Sequence, residues 1–156
     1  MTDYALLSGQ LASMNEGCAR PLPVLSNAAA LLWMSLDRIN WAGFYLLSGD
    51  SLLLGPFQGK PACTVIRMGR GVCGTAAQRR RTQRVADVHA FPGHITCDSA
   101  SASEIVIPLI LPYGRLIGVL DIDSPVPGRF AQEDQDGLEQ FAEVLCRTAD
   151  WSGGLL

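Results

Sequence analysis

Two short turns, each placed between strand-like segments, constrain the fold of this chain more than any other feature. One turn is Gly49-Asp50 and the other is Tyr113-Gly114. The flanking segments run in two pairs, residues 41–47 with 51–57 and residues 104–111 with 116–123. Strands joined so tightly pair in antiparallel fashion, because a parallel pair needs a crossover of about a dozen residues or more. The sequence therefore predicts an antiparallel sheet built from hairpins.

Helical patterns lie at both ends of the chain. Segments 4–18, 25–36 and 133–148 are apolar or amphipathic at helical spacing, and residues 62–68 and 82–87 are further short strands. A short helix is predicted over 74–80, and a long loop over 91–103. We therefore predict an α+β fold of about six antiparallel strands, with the N- and C-terminal helices packed on one face and a ligand pocket on the other.

Length and charge limit the classes of function. A chain of 156 residues is expected to form one domain, residues 1–156. The formal net charge of −3, with both signs interspersed, gives no reason to expect nucleic acid or an anionic membrane as a partner. The N-terminal residues do not resemble a secretory signal, and the longest apolar run, 105–112, is too short to cross a bilayer. A cytoplasmic protein is expected.

Five cysteines carry the chemistry that this composition allows. Their odd number, without an export signal, argues against a secreted disulfide framework. Three roles for the cysteines then stay open: buried structural thiols, ligands of a metal site, and redox or nucleophilic groups. The side chains that could bind a metal are Cys63, Cys73, Cys97, His89 and His94. They show no short ligand spacing of the C-x-x-C kind, so neither a metal nor another cofactor is predicted.

Strand alternation assigns several side chains to the pocket. Trp41 and Tyr45 share one face of their strand and are expected to point into the pocket, although both could instead be core aromatics. In the strand 116–123, residues 117, 119, 121 and 123 should share a face, opposite residues 116, 118, 120 and 122. Asp121 and Asp123 then lie together, and Glu104 opens the neighbouring strand. The alternative is a solvated polar strand end.

The nucleophile is not decided by these patterns. Cys97 lies in a polar loop beside His94, where backbone amides favour a thiolate, but Asp98 opposes it. Cys73 precedes the predicted helix at Gly74, where the helix dipole also favours a thiolate. Both cysteines remain candidates at this point.

Several motifs resemble the free methionine-(R)-sulfoxide reductases, a family built on a six-stranded GAF domain. They cover most of the chain in order: residues 40–45 (NWAGFY), 54–63 (LGPFQGKPAC), 69–76 (GRGVCGTA), 87–89 (DVH), 91–98 (FPGHITCD), 103–106 (SEIV) and 118–124 (GVLDIDS). The resemblance implies an enzyme that reduces free methionine sulfoxide with thioredoxin as reductant. GAF domains often dimerise, so a homodimer is possible.

The resemblance also implies roles for individual residues. Cys97 is the nucleophile, Cys63 is the thiol that resolves it, and Cys73 is a further cysteine of the site. The implied substrate-binding positions are Trp41, Tyr45, Glu104, Asp121 and Asp123. Two other functions stay open: a non-catalytic GAF module that binds a small ligand, and a thiol redox sensor.

Overall fold

The structure is a computed structural model of the chain, and it describes residues 1–94 and 100–156. Four α-helices and six strands are present among the described residues, with a 3-10 turn at Val88–Ala90. The helices are α1 (Tyr4–Asn15), α2 (Pro21–Ser35), α3 (Gly71–Arg79) and α4 (Gln132–Thr148). The strands are β1 (Trp41–Ser48), β2 (Ser51–Gly59), β3 (Val65–Arg67), β4 (Gln83–Val85), β5 (Ser103–Ile110) and β6 (Leu116–Ser124).

The strands form one antiparallel sheet in the order β3-β2-β1-β6-β5-β4. Both predicted hairpins are confirmed. In the first, Ser48 lies opposite Ser51, and Gly49 takes a φ of 63° that favours glycine. The central pairing of β1 with β6 joins the two hairpins edge to edge, and no turn in the sequence specifies it. This pairing builds the site described below.

The helices divide between the two faces of the sheet as predicted. Helices α1, α2 and α4 cover one face, with α1 against α4, α2 against β1 and β2, and α4 against β5. Their apolar side chains form one core with Phe44, Leu120 and Ile122 from the strands. The short helix α3 lies on the opposite face, where it contacts β5 and β6. The two faces of the sheet thus hold separate clusters, one helix-covered and one beside a pocket.

Local signals explain where the helices begin. The Oδ1 of Asp3 accepts a hydrogen bond from the N–H of Leu6 at 3.0 Å and caps α1. Pro21 occupies the first position of α2, where its fixed φ suits a helix and its missing N–H costs nothing. The prediction began this helix at Leu25, four residues late, because it followed the apolar pattern and not the proline.

Two further predictions need correction. Helix α3 begins at Gly71 and not near Gly74, so Cys73 lies inside its first turn. The alternation predicted for the first half of β6 is wrong, because Leu116 belongs to the pocket-side cluster and Ile117 to the helix-covered core. Leu109 pairs with Gly118 but Ile110 pairs with Leu116, so β6 carries an extra residue in a β-bulge. One extra residue reverses the alternation on its far side.

In the part of the chain that the structure describes, no helix has both the length and the apolar character needed to cross a membrane.

Candidate active site

The pairing of three neighbouring strands brings together side chains that are far apart in the sequence. Trp41 lies opposite Asp123 across β1 and β6, and Asp123 lies opposite Glu104 across β6 and β5. One row further along the sheet, Asp121 pairs with Val106 on one side and Gly43 on the other. Residues at this spacing along a strand share a face, so the predicted grouping of Glu104, Asp121 and Asp123 is confirmed.

Trp41 forms one wall of the site and is held on three sides. Its ring stacks on Phe57 with centroids 5.2 Å apart, and on Tyr45 at 5.9 Å. Its Nε1 donates a hydrogen bond of 3.0 Å to the carbonyl of Lys60. Gly43 leaves room for this stack, because a Cβ there would lie 2.3 Å from the Cβ of Phe57 and 2.8 Å from the indole of Trp41.

Tyr45 lies deeper on the same face, with 2% of its surface exposed. Its hydroxyl donates a hydrogen bond of 2.8 Å to the carbonyl of Cys63. Burial, followed by the negative charge of Asp121, raises the pKa of Tyr45 above its ordinary value. The phenol therefore stays protonated and remains a donor throughout the physiological range of pH.

Cys73 approaches the carboxylates from α3, and its Sγ lies 4.0 Å from Oε2 of Glu104. Burial raises the pKa of Cys73 well above its ordinary value, and the charges of Asp121 and Glu104 raise it further. The sequence left Cys73 open as a nucleophile, with the helix dipole in favour of its thiolate, and the raised pKa opposes that form. Desolvation opposes the charged form more strongly than the dipole at the start of a short helix supports it.

Two carboxyl groups are buried beside this thiol, with Glu104 8% and Asp121 5% exposed. Burial raises the pKa of Glu104 well above its ordinary value, and repulsion from Asp121 and Asp123 adds to the effect. Burial also raises the pKa of Asp121, although hydrogen bonds from Glu104 and Cys73 partly oppose the shift. The solvated strand end is thus excluded for Glu104 and Asp121. Desolvation, more than mutual repulsion, favours the protonated form of Glu104, and it raises the pKa of Asp121 against the hydrogen bonds that Asp121 accepts.

These groups line a cavity of about 60 Å³. Its walls also include Ala62, Ile66, Val72, His94 and Ser101. Asp121 has one further feature: its Oδ1 is buried and has no hydrogen-bond partner among the described residues. An unpaired buried acceptor is costly, and the cavity beside it offers space for a donor from a ligand.

The same groups are the metal-compatible set within the described residues. One ligand atom each from Cys73, Glu104 and Asp121 lie within 4.8 Å of one another. Sequence spacing could not reveal this set, because its members come from α3, β5 and β6. A divalent cation would have to displace their protons, which the raised pKa values oppose near neutral pH. That the protein uses no metal remains a prediction.

The five cysteines differ in state and position. Cys63, in the connection between β2 and β3, is disulfide-bonded. Cys18 is an exposed free thiol, whereas Cys73 and Cys146 are buried free thiols. Cys97, predicted as the nucleophile, lies outside the described residues. His94 and Ser101, which line the cavity, are close to it in the sequence.

Comparison with known proteins identifies the family. The GAF domain model matches residues 22–148. A free methionine-R-sulfoxide reductase of Escherichia coli (strain K12) is 55% identical over 142 residues, which cover 91% of this chain and 86% of the relative. The chain belongs to the free methionine-(R)-sulfoxide reductase family of GAF domains. The resemblance found in the sequence motifs is thus confirmed.

Solved structures of this family share the fold closely. The fRMsr of Staphylococcus aureus in complex with substrate has a TM-score of 0.90 and 50% identity, covering 96% of this chain and 97% of that one. The free methionine-R-sulfoxide reductase of Neisseria meningitidis in complex with its substrate has a TM-score of 0.86 and 43% identity, covering 91% and 85%. Both structures are complexes of reductases with their substrates.

Some residues of the site were missed by the sequence analysis. Lys60, Arg70 and Ser101 line the cavity, and the Oγ of Ser101 accepts a hydrogen bond of 3.3 Å from the side-chain amide of Asn40. Each lies within or beside a motif singled out in the sequence. However, lysine, arginine and serine are common on surfaces, so their residue types gave no signal.

Proposed function

We propose that this protein reduces free L-methionine-(R)-sulfoxide to methionine. The observation that carries the proposal is the pair of buried carboxyl groups of Glu104 and Asp121, whose pKa values burial raises, beside a thiol and an aromatic wall in one cavity. Reduction of a sulfoxide needs a thiol nucleophile and an acid that protonates the departing oxygen. Membership of the family, whose relatives carry this activity in their names, supports the same reaction.

The first step joins the nucleophile to the acids. The thiolate of Cys97 attacks the sulfoxide sulfur, and the carboxyl groups of Glu104, Asp121 and Asp123 polarise or protonate its oxygen. An S–S bond forms between Cys97 and the substrate while the S–O bond breaks and the protonated oxygen leaves as water. A water molecule then attacks the sulfur of Cys97, the S–S bond breaks, methionine leaves, and Cys97 becomes a sulfenic acid. The sulfur of the substrate is reduced by two electrons and that of Cys97 is oxidised by two. Cys73, buried and protonated, serves this step as a neighbour of Glu104 and not as the nucleophile.

The second step resets the enzyme. The thiolate of Cys63 attacks the sulfenic sulfur of Cys97, an S–S bond forms, and the hydroxyl group leaves as water. Thioredoxin, as an external dithiol, then reduces this disulfide by exchange. The disulfide-bonded state of Cys63 supports its role as the resolving thiol.

Substrate recognition follows from the shape of the cavity. The stacked rings of Trp41 and Tyr45 offer apolar contact for the methyl group. The unpaired Oδ1 of Asp121 and the carboxyl group of Asp123 offer acceptors for the ammonium group or for a protonated oxygen. A cavity that buried both the amino and the carboxylate group of the substrate would leave no exit for a continuing peptide chain. We therefore infer a preference for the free amino acid.

Measurement of the product tests this function. Purified protein, thioredoxin, thioredoxin reductase and NADPH are mixed with free methionine-(R)-sulfoxide, the (S) epimer, or a peptide that contains the sulfoxide. Methionine should form, with matching NADPH oxidation, only from the free (R) substrate. NADPH oxidation by peroxide without methionine formation would instead identify a redox sensor. Substrate binding without turnover would identify a non-catalytic GAF module.

Substitution of Cys63 separates the two steps. We expect Cys63→Ser to release one methionine per molecule in a first turnover, because Cys97 alone attacks the sulfoxide. Cycling driven by thioredoxin should then be mostly lost. Peptide mapping of wild-type protein after one turnover should find a Cys63–Cys97 disulfide. A Cys73–Cys97 peptide in its place would contradict the assignment of the resolving thiol.

The setting of the reaction is also proposed. Free thiols at Cys18, Cys73 and Cys146 suit a reducing compartment such as the cytoplasm.

Exposed apolar side chains on the outer surfaces of α1 and α2, among them Met14, Trp33 and Met34, offer a surface for a homodimer. We propose that residues 1–156 act as one domain.

A further inference from the structure

The connection between β2 and β3, residues 60–64, carries the proposed resolving cysteine and is held by two side chains of the pocket. The indole of Trp41 donates to the carbonyl of Lys60 at 3.0 Å, and the hydroxyl of Tyr45 donates to the carbonyl of Cys63 at 2.8 Å. The second bond ends on the backbone of Cys63 itself. The side chains that wall the substrate cavity therefore also fix the position of the proposed resolving thiol.

Tyr45 is a support held by strand pairing on both sides, whereas the connection lies outside the sheet. Tyr45 lies within β1, paired with Leu54 of β2 and with Val119 of β6, and its ring is buried against Trp41. By contrast, residues 60–64 are exposed or half-buried and lie between two strands. A hydrogen bond from Tyr45 to Cys63 thus reduces the number of backbone positions that this connection can take.

The hydroxyl of Tyr45 has only one proton to donate. Because that proton is directed to Cys63, it is not directed to the oxygen of a sulfoxide in the cavity. Burial and the nearby charge of Asp121 hold the pKa of the phenol high, so the donor is present over the working pH range. The hydroxyl therefore acts on the connection, while the ring contributes to the wall of the cavity.

We propose that Tyr45 is also a positioning residue for the resolving cysteine, and that its hydroxyl sets the rate of disulfide closure. The inference rests on the proposed function, in which Cys63 resolves the sulfenic acid. Closure requires the sulfur of Cys63 to approach the sulfenic sulfur along a narrow range of directions, because disulfide geometry is specific. A backbone held in place keeps the thiol near that range and lowers the entropy lost on closure.

Removal of the hydroxyl alone tests this role. Tyr45→Phe keeps the ring, and Tyr113→Phe is a matched control, because Tyr113 is exposed at the β5–β6 turn. In rapid-quench single turnovers, the ratio of the rate of disulfide closure to the rate of methionine release should fall in Tyr45→Phe, because a purely substrate-binding role of Tyr45 would slow methionine release alone. Closure, followed by alkylation of free thiols and mass spectrometry, should slow about fivefold, the typical effect of one lost hydrogen bond. Tyr113→Phe should change neither rate.

The equilibrium constant for oxidation of Cys63 gives a second test, which distinguishes a positioning role from general damage to the fold. In glutathione buffers of graded composition, the equilibrium constant for oxidation of Cys63 in Tyr45→Phe should fall by a similar factor. Thermal unfolding of reduced protein shows separately whether the fold is intact. Slower methionine release with unchanged closure would overturn the proposal, since the hydroxyl would then act on substrate. Two unchanged rates would also overturn it.

The test remains decisive if the proposed substrate is wrong. Dilute hydrogen peroxide forms sulfenic acid on a reactive thiol without methionine sulfoxide, and closure can be followed from that state. Slow closure in Tyr45→Phe after peroxide would support the positioning role even if no methionine is made. If wild-type protein closes no disulfide at Cys63 after peroxide, the positioning role is refuted, independently of the methionine assay.

Discussion

The two faces of the sheet both bury ionisable side chains, but they surround them with different partners. On the helix-covered face, the guanidinium of Arg129 is buried and pairs with Asp37 at 3.0 Å and Asp134 at 3.3 Å. On the pocket face, Glu104 and Asp121 are buried beside each other, and no ion pair to a cation reaches either of them among the described residues. Burial raises the pKa of both groups, and a hydrogen bond from Glu104 to Asp121 partly opposes the shift at Asp121.

This difference separates a structural use of buried charge from a chemical one. A paired guanidinium has its hydrogen bonds satisfied within the protein and holds the chain in place. Two buried acids with raised pKa values destabilise the fold when they ionise, and they keep a proton that can be given to a ligand. The pocket face therefore holds groups suited to the reaction at a cost in stability, while the helix-covered face supplies most of the apolar burial.

The largest expected effect is loss of the nucleophile. Cys97→Ser should abolish methionine formation, because a serine hydroxyl is a far weaker nucleophile than a thiolate. Cys146→Ser, on the helix-covered face, and Cys18→Ser, at the surface, should keep nearly full activity. The measurement is methionine formed in a single turnover by each variant. Full activity in Cys97→Ser, or its loss in Cys146→Ser, would break the division between the faces.

The next effect falls on stability and not on chemistry. Phe141 is fully buried in the helix-covered core, so Phe141→Ala should lower the free energy of unfolding by about 3–5 kcal/mol. Turnover per folded molecule should be unchanged. Urea denaturation and active-site titration measure the two quantities, with the exposed Met34→Ala as a control that should stay within about 0.5 kcal/mol. A large fall in turnover per folded molecule would show that the two faces are not independent.

Substitution of the carboxyl groups should lower the catalytic rate more than the stability, the reverse of the effect expected for Phe141→Ala. We expect Glu104→Gln and Asp123→Asn to lower kcat/KM through kcat by about 10², because an acid that works in the transition state is lost. Asp121→Asn should change both kcat and KM, since Asp121 lines the cavity and its buried Oδ1 has no hydrogen-bond partner among the described residues. Single-turnover rates of sulfenic acid formation across pH are the readout. Wild-type rates in all three variants would leave these acids without a role in the chemistry.

The smallest effect is a change in how stability depends on pH. The pKa of Glu104 is raised in the folded protein, so the folded state holds a proton that the unfolded state releases above pH 4. The free energy of unfolding of the wild type should therefore fall as pH rises from there to the folded pKa. The slope for one proton is at most about 1.4 kcal/mol per pH unit. Glu104→Gln should flatten this slope in denaturation curves from pH 4.5 to 8. Equal slopes would mean that Glu104 is ionised in the folded state.

Much of the fold could be predicted because its signals are local. The turns at Gly49 and Gly114, the helix patterns and the alternation of β1 each depend on residues that are near neighbours in the chain. Alternation placed Trp41 and Tyr45 on the pocket face, and the structure confirms this. It failed at Leu116 and Ile117, because a single extra residue in β6 leaves no clear mark in the sequence.

The roles of the cysteines needed information of another kind. Local reasoning left Cys73 and Cys97 as equal candidates, and the family motifs favoured Cys97. The structure weakens the case for Cys73 independently, because burial raises its pKa and disfavours a thiolate. Burial depends on what packs against the side chain, and the residues that pack against Cys73 come from other elements of the fold.

The sequence by itself thus determined the hairpins, the helices, the family and the residue types of the site. Only the tertiary structure decided that Glu104 and Asp121 are buried together with Cys73, and that the hydroxyl of Tyr45 is directed to Cys63. The physical reason is the pairing of β1 with β6 and the packing of α3 over β5 and β6. These contacts join segments that are distant in the chain, and desolvation and hydrogen-bond partners depend on all of them at once.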